Sequence, residues 1–306
     1  MIQQSANAVV MIRPFCFYPN PETASDNAFQ REVASGDAIA ISKAAQTEFD
    51  QAVELLRGAG VTVHVFEDTA SPEKPDAVFP NNWFSTHPDG RVALYPMYSP
   101  TRRNERRRDV IDELGKIYRI SAVVDYSSYE QSGLHLEGTG SLVLDYVNRI
   151  AYVSLSKRSD RALVERFCHD FNFEPMLFES VGDDGRPIYH TNVMLCVGSE
   201  FALIGLDMST DPGQRETVRR RLEASGKKVI ELKRDQIGNF AGNALELRNE
   251  SEKLLVLSSR AAEALTSEQR KEIEQHARLL PLALPTIELA GGSARCMLAA
   301  IYLPQL

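Results

Sequence analysis

The stretch that decides the fold is Asn192–Lys233, which reads NVMLCVGSEFALIGLDMSTDPGQRETVRRRLEASGKKVIELK. Two apolar runs, Val193–Val197 and Phe201–Leu206, meet across Gly-Ser-Glu and predict a β-hairpin. Asp211 and the proline after it supply a helix N-cap and first turn, and Gly226 supplies a natural helix end. A further apolar run follows the glycine. The stretch therefore predicts a unit in the order strand, strand, helix, strand.

The same order of elements recurs in three further stretches, and its remaining pieces lie at the two chain ends. A C-terminal strand at Arg295–Leu303 and the N-terminal strand, helix and strand together make a fifth unit. We therefore predict an α/β fold, a five-fold pseudosymmetric propeller of ββαβ units closed by the N- and C-termini, because closure leaves no unit with an uncovered apolar face. The predicted units are 82–125, 139–179, 191–233, 242–287, and 293–306 plus 8–67, in a single domain of residues 1–306. A plain two-domain α/β fold remains open, but it does not explain why the missing half-unit lies at the opposite terminus.

The composition excludes several classes of protein. Of 306 residues, 43% are apolar and 25% charged, which is ordinary for a globular chain and too apolar for a disordered one. The 42 acidic and 34 basic residues give a net charge of −8, which argues against nucleic acid or an anionic membrane as a partner. No apolar run approaches the ~20 residues of a membrane span, and no secretory signal is apparent. Four well-separated cysteines suit free thiols in a reducing compartment, so we expect a cytoplasmic protein.

Four residues with side chains suited to catalysis or binding are evenly spaced along the chain. Glu137, His190, Asn243 and Cys296 are each separated by 53 residues, and each lies at or just before the first strand of its unit. In a ring, equivalent positions of successive units point towards the common axis. The period therefore predicts one central pocket lined by a carboxylate, an imidazole, an amide and a thiol.

At this point the chain resembles a known family. The five-unit ring with a Glu, a His and a C-terminal Cys is similar to the pentein superfamily, which includes arginine deiminases, dimethylarginine hydrolases and amidinotransferases. Within it, the stretches 75–84 (PDAVFPNNWF) and 291–296 (GGSARC) resemble the citrulline-utilisation hydrolases, formerly called amidinotransferase-like. The likeness covers nearly the whole chain.

The resemblance implies a role for each member of the catalytic set. Cys296 would be the nucleophile, which must act as the thiolate. His190 would protonate the leaving nitrogen and then activate water, and Glu137 would orient its imidazole. Asn243 has the right period but no assigned role beyond lining the pocket.

The resemblance also implies substrate-binding residues. Asp76 matches an acidic position that accepts hydrogen bonds from substrate nitrogens, with a turn-capping Asp as the alternative. Arg103, with Arg102 as the close alternative, and Arg158 would bind the α-carboxylate of the substrate by bidentate pairing.

Two positions depart from the deiminase pattern. Asn82 and Asn192 stand where deiminases commonly carry Asp. A guanidinium is cationic and only donates hydrogen bonds, so a buried site for it favours carboxylates, whereas a neutral ureido carbonyl suits an amide NH₂. We therefore predict that both residues contact a ureido group.

The predicted function is that of a C–N hydrolase. The enzyme would cleave the ureido C–N bond of citrulline, or of a close ureido amino acid, to ornithine, ammonia and carbon dioxide through a covalent Cys thioester. The alternative is an arginine or dimethylarginine deiminase or amidinotransferase, and a remote alternative is a non-catalytic pentein that binds a macromolecular partner. We expect a small amino acid as partner, neither metal nor other cofactor, and no nucleic acid or membrane, and we leave a homodimer open.

Overall fold

The computed structural model of the chain describes residues 2–31 and 38–306, so that residue 1 and residues 32–37 of the predicted fifth unit lie outside it. Its helices and strands follow one another along the chain. They are β1 (Ala8–Arg13), α1 (Ala38–Gly58), β2 (Thr62–Glu67), β3 (Phe84–Thr86), β4 (Arg91–Leu94), α2 (Arg108–Leu114), β5 (Ala122–Asp125), α3 (Gly138–Ser141), β6 (Val143–Asp145), β7 (Ile150–Ser154), α4 (Arg161–Phe171), β8 (Glu174–Phe178), β9 (Leu195–Val197), β10 (Phe201–Ile204), α5 (Pro212–Ala224), β11 (Lys228–Glu231), α6 (Arg234–Gly238), β12 (Leu245–Arg248), β13 (Lys253–Ser258), α7 (Ser259–Ala264), α8 (Ser267–Glu274), β14 (Arg278–Leu282) and β15 (Ala299–Ala300).

These strands form five small sheets of three strands each. The sheets have the strand orders β3-β4-β5, β6-β7-β8, β9-β10-β11, β12-β13-β14 and β15-β1-β2. In each sheet the first two strands pair antiparallel and the last two pair parallel, and a helix connects the parallel pair, as such a crossover requires. The predicted ββαβ unit is therefore confirmed in all five places.

The fifth sheet joins the two ends of the chain. Val9 and Val10 of β1 pair with Ala300 and Ala299 of β15, and β1 then pairs in parallel with β2 along its whole length. The prediction that the N- and C-termini share one unit is confirmed. Neighbouring sheets also contact one another: β15 contacts β3, β9 contacts both β6 and β12, and Ala6 forms a bridge with Leu247 in β12.

Two predicted elements differ from the structure. The C-terminal strand predicted for Arg295–Leu303 is a 3-10 turn at Ala294–Met297 followed by the two-residue strand β15. In unit 82–125 the repeated order predicts a helix from about Thr101 to Leu114, but that helix begins only at Arg108, after a separate 3-10 turn at Thr101–Glu105. Both turns carry residues of the functional site described below. The pattern of apolar residues does not predict such turns.

The helices bury one face against their sheets, as α4 shows. The Asp160 side chain caps its first turn by accepting from the backbone N–H of Ala162 at 2.9 Å, and the helix ends at Asn172 with a positive φ of 56°. Its buried face includes Cys168. The residues on that face are Leu163, Val164, Phe167, Cys168 and Phe171. All four cysteines of the chain are free thiols.

Between residues 2 and 31 and from 38 onwards, no helix is both long and apolar enough to cross a membrane.

One histidine is buried among aromatic side chains. The His87 ring lies 4.1 Å from the Phe171 ring, and its Nε2 lies 2.8 Å from the Ser85 hydroxyl. Burial, opposed by Asp89 and assisted by Arg91, lowers the pKa of His87 to about 3. The folded protein therefore holds this imidazole neutral.

We predict that acid destabilises the fold through His87. The unfolded chain binds this proton below about pH 6.5 and the folded chain only below about pH 3, so the stability contribution is complete above pH 6.5 and is lost as the pH falls through that range. His87→Gln should remove about 2 kcal/mol of the decrease in unfolding free energy between pH 7 and pH 5. Denaturant titrations at the two pH values measure this. An unchanged pH slope in the variant contradicts the prediction.

Candidate active site

The Glu137–His190 pair forms the buried base of the site. Glu137 immediately precedes α3, and His190 immediately precedes a 3-10 turn at Thr191–Val193, so equivalent turns of two successive units present them. The His190 Nε2 lies 2.8 Å from the Glu137 Oε2, and neither side chain is more than 1% exposed. This hydrogen bond orients the imidazole and does not involve its other ring nitrogen, Nδ1.

Two arginines share the same carboxylate oxygen. The Nη1 atoms of Arg102 and Arg158 each lie 3.5 Å from the Glu137 Oε2, while its Oε1 accepts from the backbone N–H of Tyr98 at 2.9 Å. Burial favours the neutral acid, but Arg158, His190 and Arg102 outweigh it and hold the pKa of Glu137 well below its usual range. Glu137 is therefore a carboxylate.

The imidazole beside it is neutral. Burial lowers the pKa of His190 to about 4, against the opposing effect of its hydrogen bond to Glu137. Since Glu137 is ionised, the proton of this hydrogen bond lies on the His190 Nε2. Nδ1 is therefore a base that can accept a proton.

Two glycines allow the turn after Glu137 to approach its neighbours. Gly138 has a φ of +45°, and a Cβ at that position would collide with the backbone oxygen of Asn81. A Cβ at Gly140 would lie 2.7 Å from the His190 Nδ1 and would overlap the Asn82 Oδ1. The two glycines thus allow this turn to pack closely against both Asn82 and His190.

The Cys296 thiol lies on the 3-10 turn at Ala294–Met297 and is 2% exposed. Two amide groups donate towards its sulfur: the Nδ2 of Asn243 lies 3.3 Å from Sγ and the Nδ2 of Asn192 lies 3.5 Å from it. The Asn243 Oδ1 also accepts from the backbone N–H of Arg295, which fixes the turn. Asn243, for which the sequence offered only a place in the pocket, therefore contacts the thiol directly.

A small cavity brings several of the predicted residues together. Its lining includes Asp76, Asn82, Arg158, His190 and Cys296. The 53-residue period thus places all four of its residues at one site: two line the cavity, Glu137 lies behind the imidazole, and Asn243 lies beside the thiol.

The choice of Arg103 is corrected. Its guanidinium is bonded to the backbone oxygens of Met97 and Tyr98 and lies 3.5 Å from Glu130, outside the cavity. Arg102, the alternative, lines the cavity and is 3% exposed. Successive residues of a 3-10 turn point about 120° apart, so only one of two adjacent arginines can face inwards.

The structure adds two carboxylates that the sequence did not single out. Glu105 pairs with Arg102 through two contacts of 2.8 and 2.9 Å, and Asp26 pairs with Arg158 through two contacts of 2.8 Å. Burial raises the pKa of Glu105 to about 7, although Arg102 opposes this shift. No sequence signal marks Asp26, since it lies in an irregular segment with no counterpart in the other units.

Asp76 completes this buried cluster. Its Oδ2 accepts from the Asn20 amide at 2.8 Å and lies 3.6 Å from the Arg102 Nε. Burial raises its pKa, opposed first by Arg102. Among residues 2–31 and 38–306, four carboxylates therefore face two guanidinium groups, and the residues that form this ionic cluster are Asp26, Asp76, Glu105, Glu137, Arg102 and Arg158.

Asn82 and Asn192, the two amides at positions where Asp was expected, each have an unpaired acceptor oxygen. The Oδ1 atoms of Asn82 and Asn192 are buried and have no hydrogen-bond partner within the described part of the chain. The NH₂ of Asn192 already faces the Cys296 sulfur. The unpaired atoms at these positions can therefore accept hydrogen bonds from a ligand.

Comparison with known proteins places the chain in a family. The model of the family described as N,N dimethylarginine dimethylhydrolase, eukaryotic, matches residues 13–303. The chain belongs to this family. It is therefore a pentein enzyme, homologous to hydrolases that act on guanidino C–N bonds, and the predicted superfamily and the prediction of a hydrolase are confirmed. No curated protein sequence matches the chain.

Solved structures share the fold at low sequence identity. One of them is the N-terminal domain of ArgZ, an arginine dihydrolase from the ornithine-ammonia cycle in cyanobacteria, solved as a Cys-to-Ser mutant with substrate bound. Its TM-score is 0.74 and its sequence identity 15%, over 97% of this chain and 99% of that one. A Cys-to-Ala mutant of AgrE with L-arginine has a TM-score of 0.72 and 15% identity over 97% of this chain and 40% of that one. A His-to-Gly mutant of dimethylarginine dimethylaminohydrolase, as its adduct with S-methyl-L-thiocitrulline, has a TM-score of 0.62 and 12% identity over 98% and 100%.

The two adjacent arginines should differ in their effect on stability. Arg102→Gln leaves Glu105 and Glu137 buried with one cation fewer, so we expect the free energy of unfolding to fall by about 3–5 kcal/mol. Arg103 is one-third exposed, and Arg103→Gln should cost no more than about 1 kcal/mol. Urea titration of both variants measures this, and equal losses would contradict the assignment.

Proposed function

We propose that the protein hydrolyses a C–N bond in the guanidino group of an arginine-type amino acid. The observation that carries this proposal is the charge of the site, where four buried carboxylates face two guanidinium groups. The site therefore holds more carboxylates than guanidinium groups, although burial raises the pKa of Glu105 to about 7. A cationic ligand compensates such an excess, whereas a neutral ureido group leaves it buried and uncompensated.

Hydrogen bonding supports the same class of substrate. A guanidinium carries only donors, and the unpaired oxygens of Asn82, which lines the cavity, and of Asn192, whose NH₂ faces the thiol, are acceptors. Carboxylates at these two positions are therefore not required, because the carboxylates that balance the cation come from elsewhere in the cluster.

The first half of the reaction joins the substrate to the enzyme. The proton of the Cys296 thiol passes to the neutral His190, and the thiolate forms a bond to the guanidino carbon. His190 then gives that proton to the departing amino group, the C–N bond breaks, and ammonia leaves. A thiouronium adduct on Cys296 remains, and Glu137 stabilises the imidazolium that forms in between.

Water completes the reaction. It loses one proton to His190 and adds to the same carbon, after which the C–S bond breaks and a ureido product is released. The thiolate recovers its proton, and the one proton left over converts ammonia to ammonium. The amides of Asn192 and Asn243 stabilise the departing thiolate through their N–H groups.

A second candidate is the citrulline hydrolase expected from the sequence. Asn82 and Asn192 favour it, because their amide groups can serve a neutral ureido group as well as a cation. An enzyme that also accepts its own ureido product would combine both activities and release ornithine.

The arrangement of the units supports a shared pocket. We infer that the five sheets close into one propeller domain, since the contacts between neighbouring sheets run from β15 and β3 to β12 and Ala6. The turns that carry Asn82, Arg158 and Cys296 then line one shared cavity.

The proposal predicts turnover of cationic substrates. We expect the purified protein to consume L-arginine or a methylated arginine and to release ammonia or a methylamine, measured by chromatography together with citrulline and ornithine. Cys296→Ser should abolish turnover, whereas Cys16→Ser, which changes a thiol outside the cavity, should leave it intact.

Consumption of citrulline with every guanidino substrate untouched would overturn the proposal in favour of the second candidate. Turnover that survives in Cys296→Ser would reject the assigned nucleophile.

A further inference from the structure

A segment without helix or strand covers the site. We call residues 20–31 the covering segment; it consists of turns and irregular backbone. Thr23 and Asn27 from this segment line the cavity. Its hydrogen bonds to the rest of the chain include the Asn27 amide to the Ala290 oxygen at 3.1 Å and the Arg31 N–H to the Leu289 oxygen at 3.0 Å.

Asp26 lies on the covering segment and binds the Arg158 guanidinium. Its two carboxylate oxygens accept from the Nε and Nη2 of Arg158, each at 2.8 Å. The Asp26 side chain is 9% exposed and that of Arg158 is 2% exposed. This is the bidentate geometry by which an arginine binds the carboxylate of a ligand. With Asp26 in this position, Arg158 therefore cannot offer the same pair of N–H groups to a ligand carboxylate.

The other inward-facing arginine is paired in a different way. Arg102 is held by Glu105 from its own 3-10 turn, three residues away. Glu105 lies on the same turn as Arg102 and moves with it, whereas Asp26 can leave Arg158 if the covering segment moves. Of these two arginine–carboxylate pairs, the Asp26–Arg158 pair is thus the one built from a separable part of the chain.

We propose that Asp26 is a specificity-determining residue which competes with the α-carboxylate of the substrate for Arg158. A ligand that brings its own carboxylate replaces Asp26 in the same bidentate position, and Asp26 moves towards solvent. The exchange keeps Arg158 paired before and after binding, so neither the free nor the ligand-bound protein buries an unpaired guanidinium. The inference rests on the proposed function, because it assumes an amino acid in this cavity.

The exchange has a consequence for ligand preference. L-arginine must break the Asp26–Arg158 contact in order to bind, while agmatine, which lacks the carboxylate, leaves it in place. Asp26 therefore weakens the binding of α-amino acids relative to their decarboxylated analogues, as a competing internal ligand must.

Calorimetric titration of the Cys296→Ser protein, in which chemistry is blocked, tests the exchange. Asp26→Asn in that background should tighten the binding of L-arginine by about tenfold and should not tighten that of agmatine. Glu22→Gln is the matched control, because Glu22 is a nearby carboxylate that bonds Thr101 and not Arg158, and it should leave both affinities unchanged.

Weaker binding of L-arginine in Asp26→Asn would show that Asp26 binds the substrate itself and would overturn the proposal. Unchanged binding, or an equal gain in Glu22→Gln, would overturn it as well. Turnover by the wild-type protein is assayed separately, so a failure of the proposed function is distinguished from a failure of the exchange.

A measurement without any change at Asp26 keeps the proposal testable if Asp26→Asn does not fold. Hydrogen exchange of the covering segment in Cys296→Ser should become faster with saturating L-arginine and remain unchanged with agmatine. Slower exchange with L-arginine, or the same response to both ligands, contradicts the displacement of Asp26.

Discussion

The site depends on a single buried oxygen, the Oε2 of Glu137. His190 lies 2.8 Å from it, and Arg102 and Arg158 each lie 3.5 Å from it. A fully buried carboxylate is tolerated only when it is paired, and removal of one partner from such a group costs about 3–5 kcal/mol. The positions of the imidazole and both guanidinium groups are therefore coupled through one atom.

The residues of the site come from all five predicted units, and three of them contact the Glu137 carboxylate. Arg102 comes from the first predicted unit, Arg158 from the second, His190 begins the third, Asn243 the fourth and Cys296 the fifth. Each residue is presented by a turn just outside a short sheet, so the sheets act as a rigid support and the turns carry the chemistry. The glycines at 138 and 140 allow two of these turns to come within contact distance.

Much of this arrangement can be read from the sequence, because repetition preserves equivalent positions. The 53-residue period by itself predicts that Glu137, His190, Asn243 and Cys296 share one site, and the repeated order of strands and helix extends to the unit split between the termini. The period cannot supply the environment of groups outside the repeat. Asp26 lies on an irregular segment, and its partner Arg158 is 132 residues away.

The substrate expectation shows the same limit. Asn82 and Asn192 stand where the resemblance to deiminases leads us to expect Asp, and these two positions alone favour a neutral group. The charge of a buried site is a sum over every group that the fold brings together, and Asp26 and Glu105 change that sum. Likewise, the choice between Arg102 and Arg103 depends on the direction of side chains in a 3-10 turn, which residue identity does not reveal.

The central claim is that Cys296 attacks a guanidino carbon with the help of the Glu137–His190 pair. Intact-protein mass spectrometry after rapid acid quenching of the protein with L-arginine, followed by peptide mapping, tests it most directly. We predict an adduct on Cys296 with the mass of arginine less one ammonia. An adduct on Cys16, Cys168 or Cys196, or turnover of arginine without any adduct on Cys296 at any quench time, would contradict it.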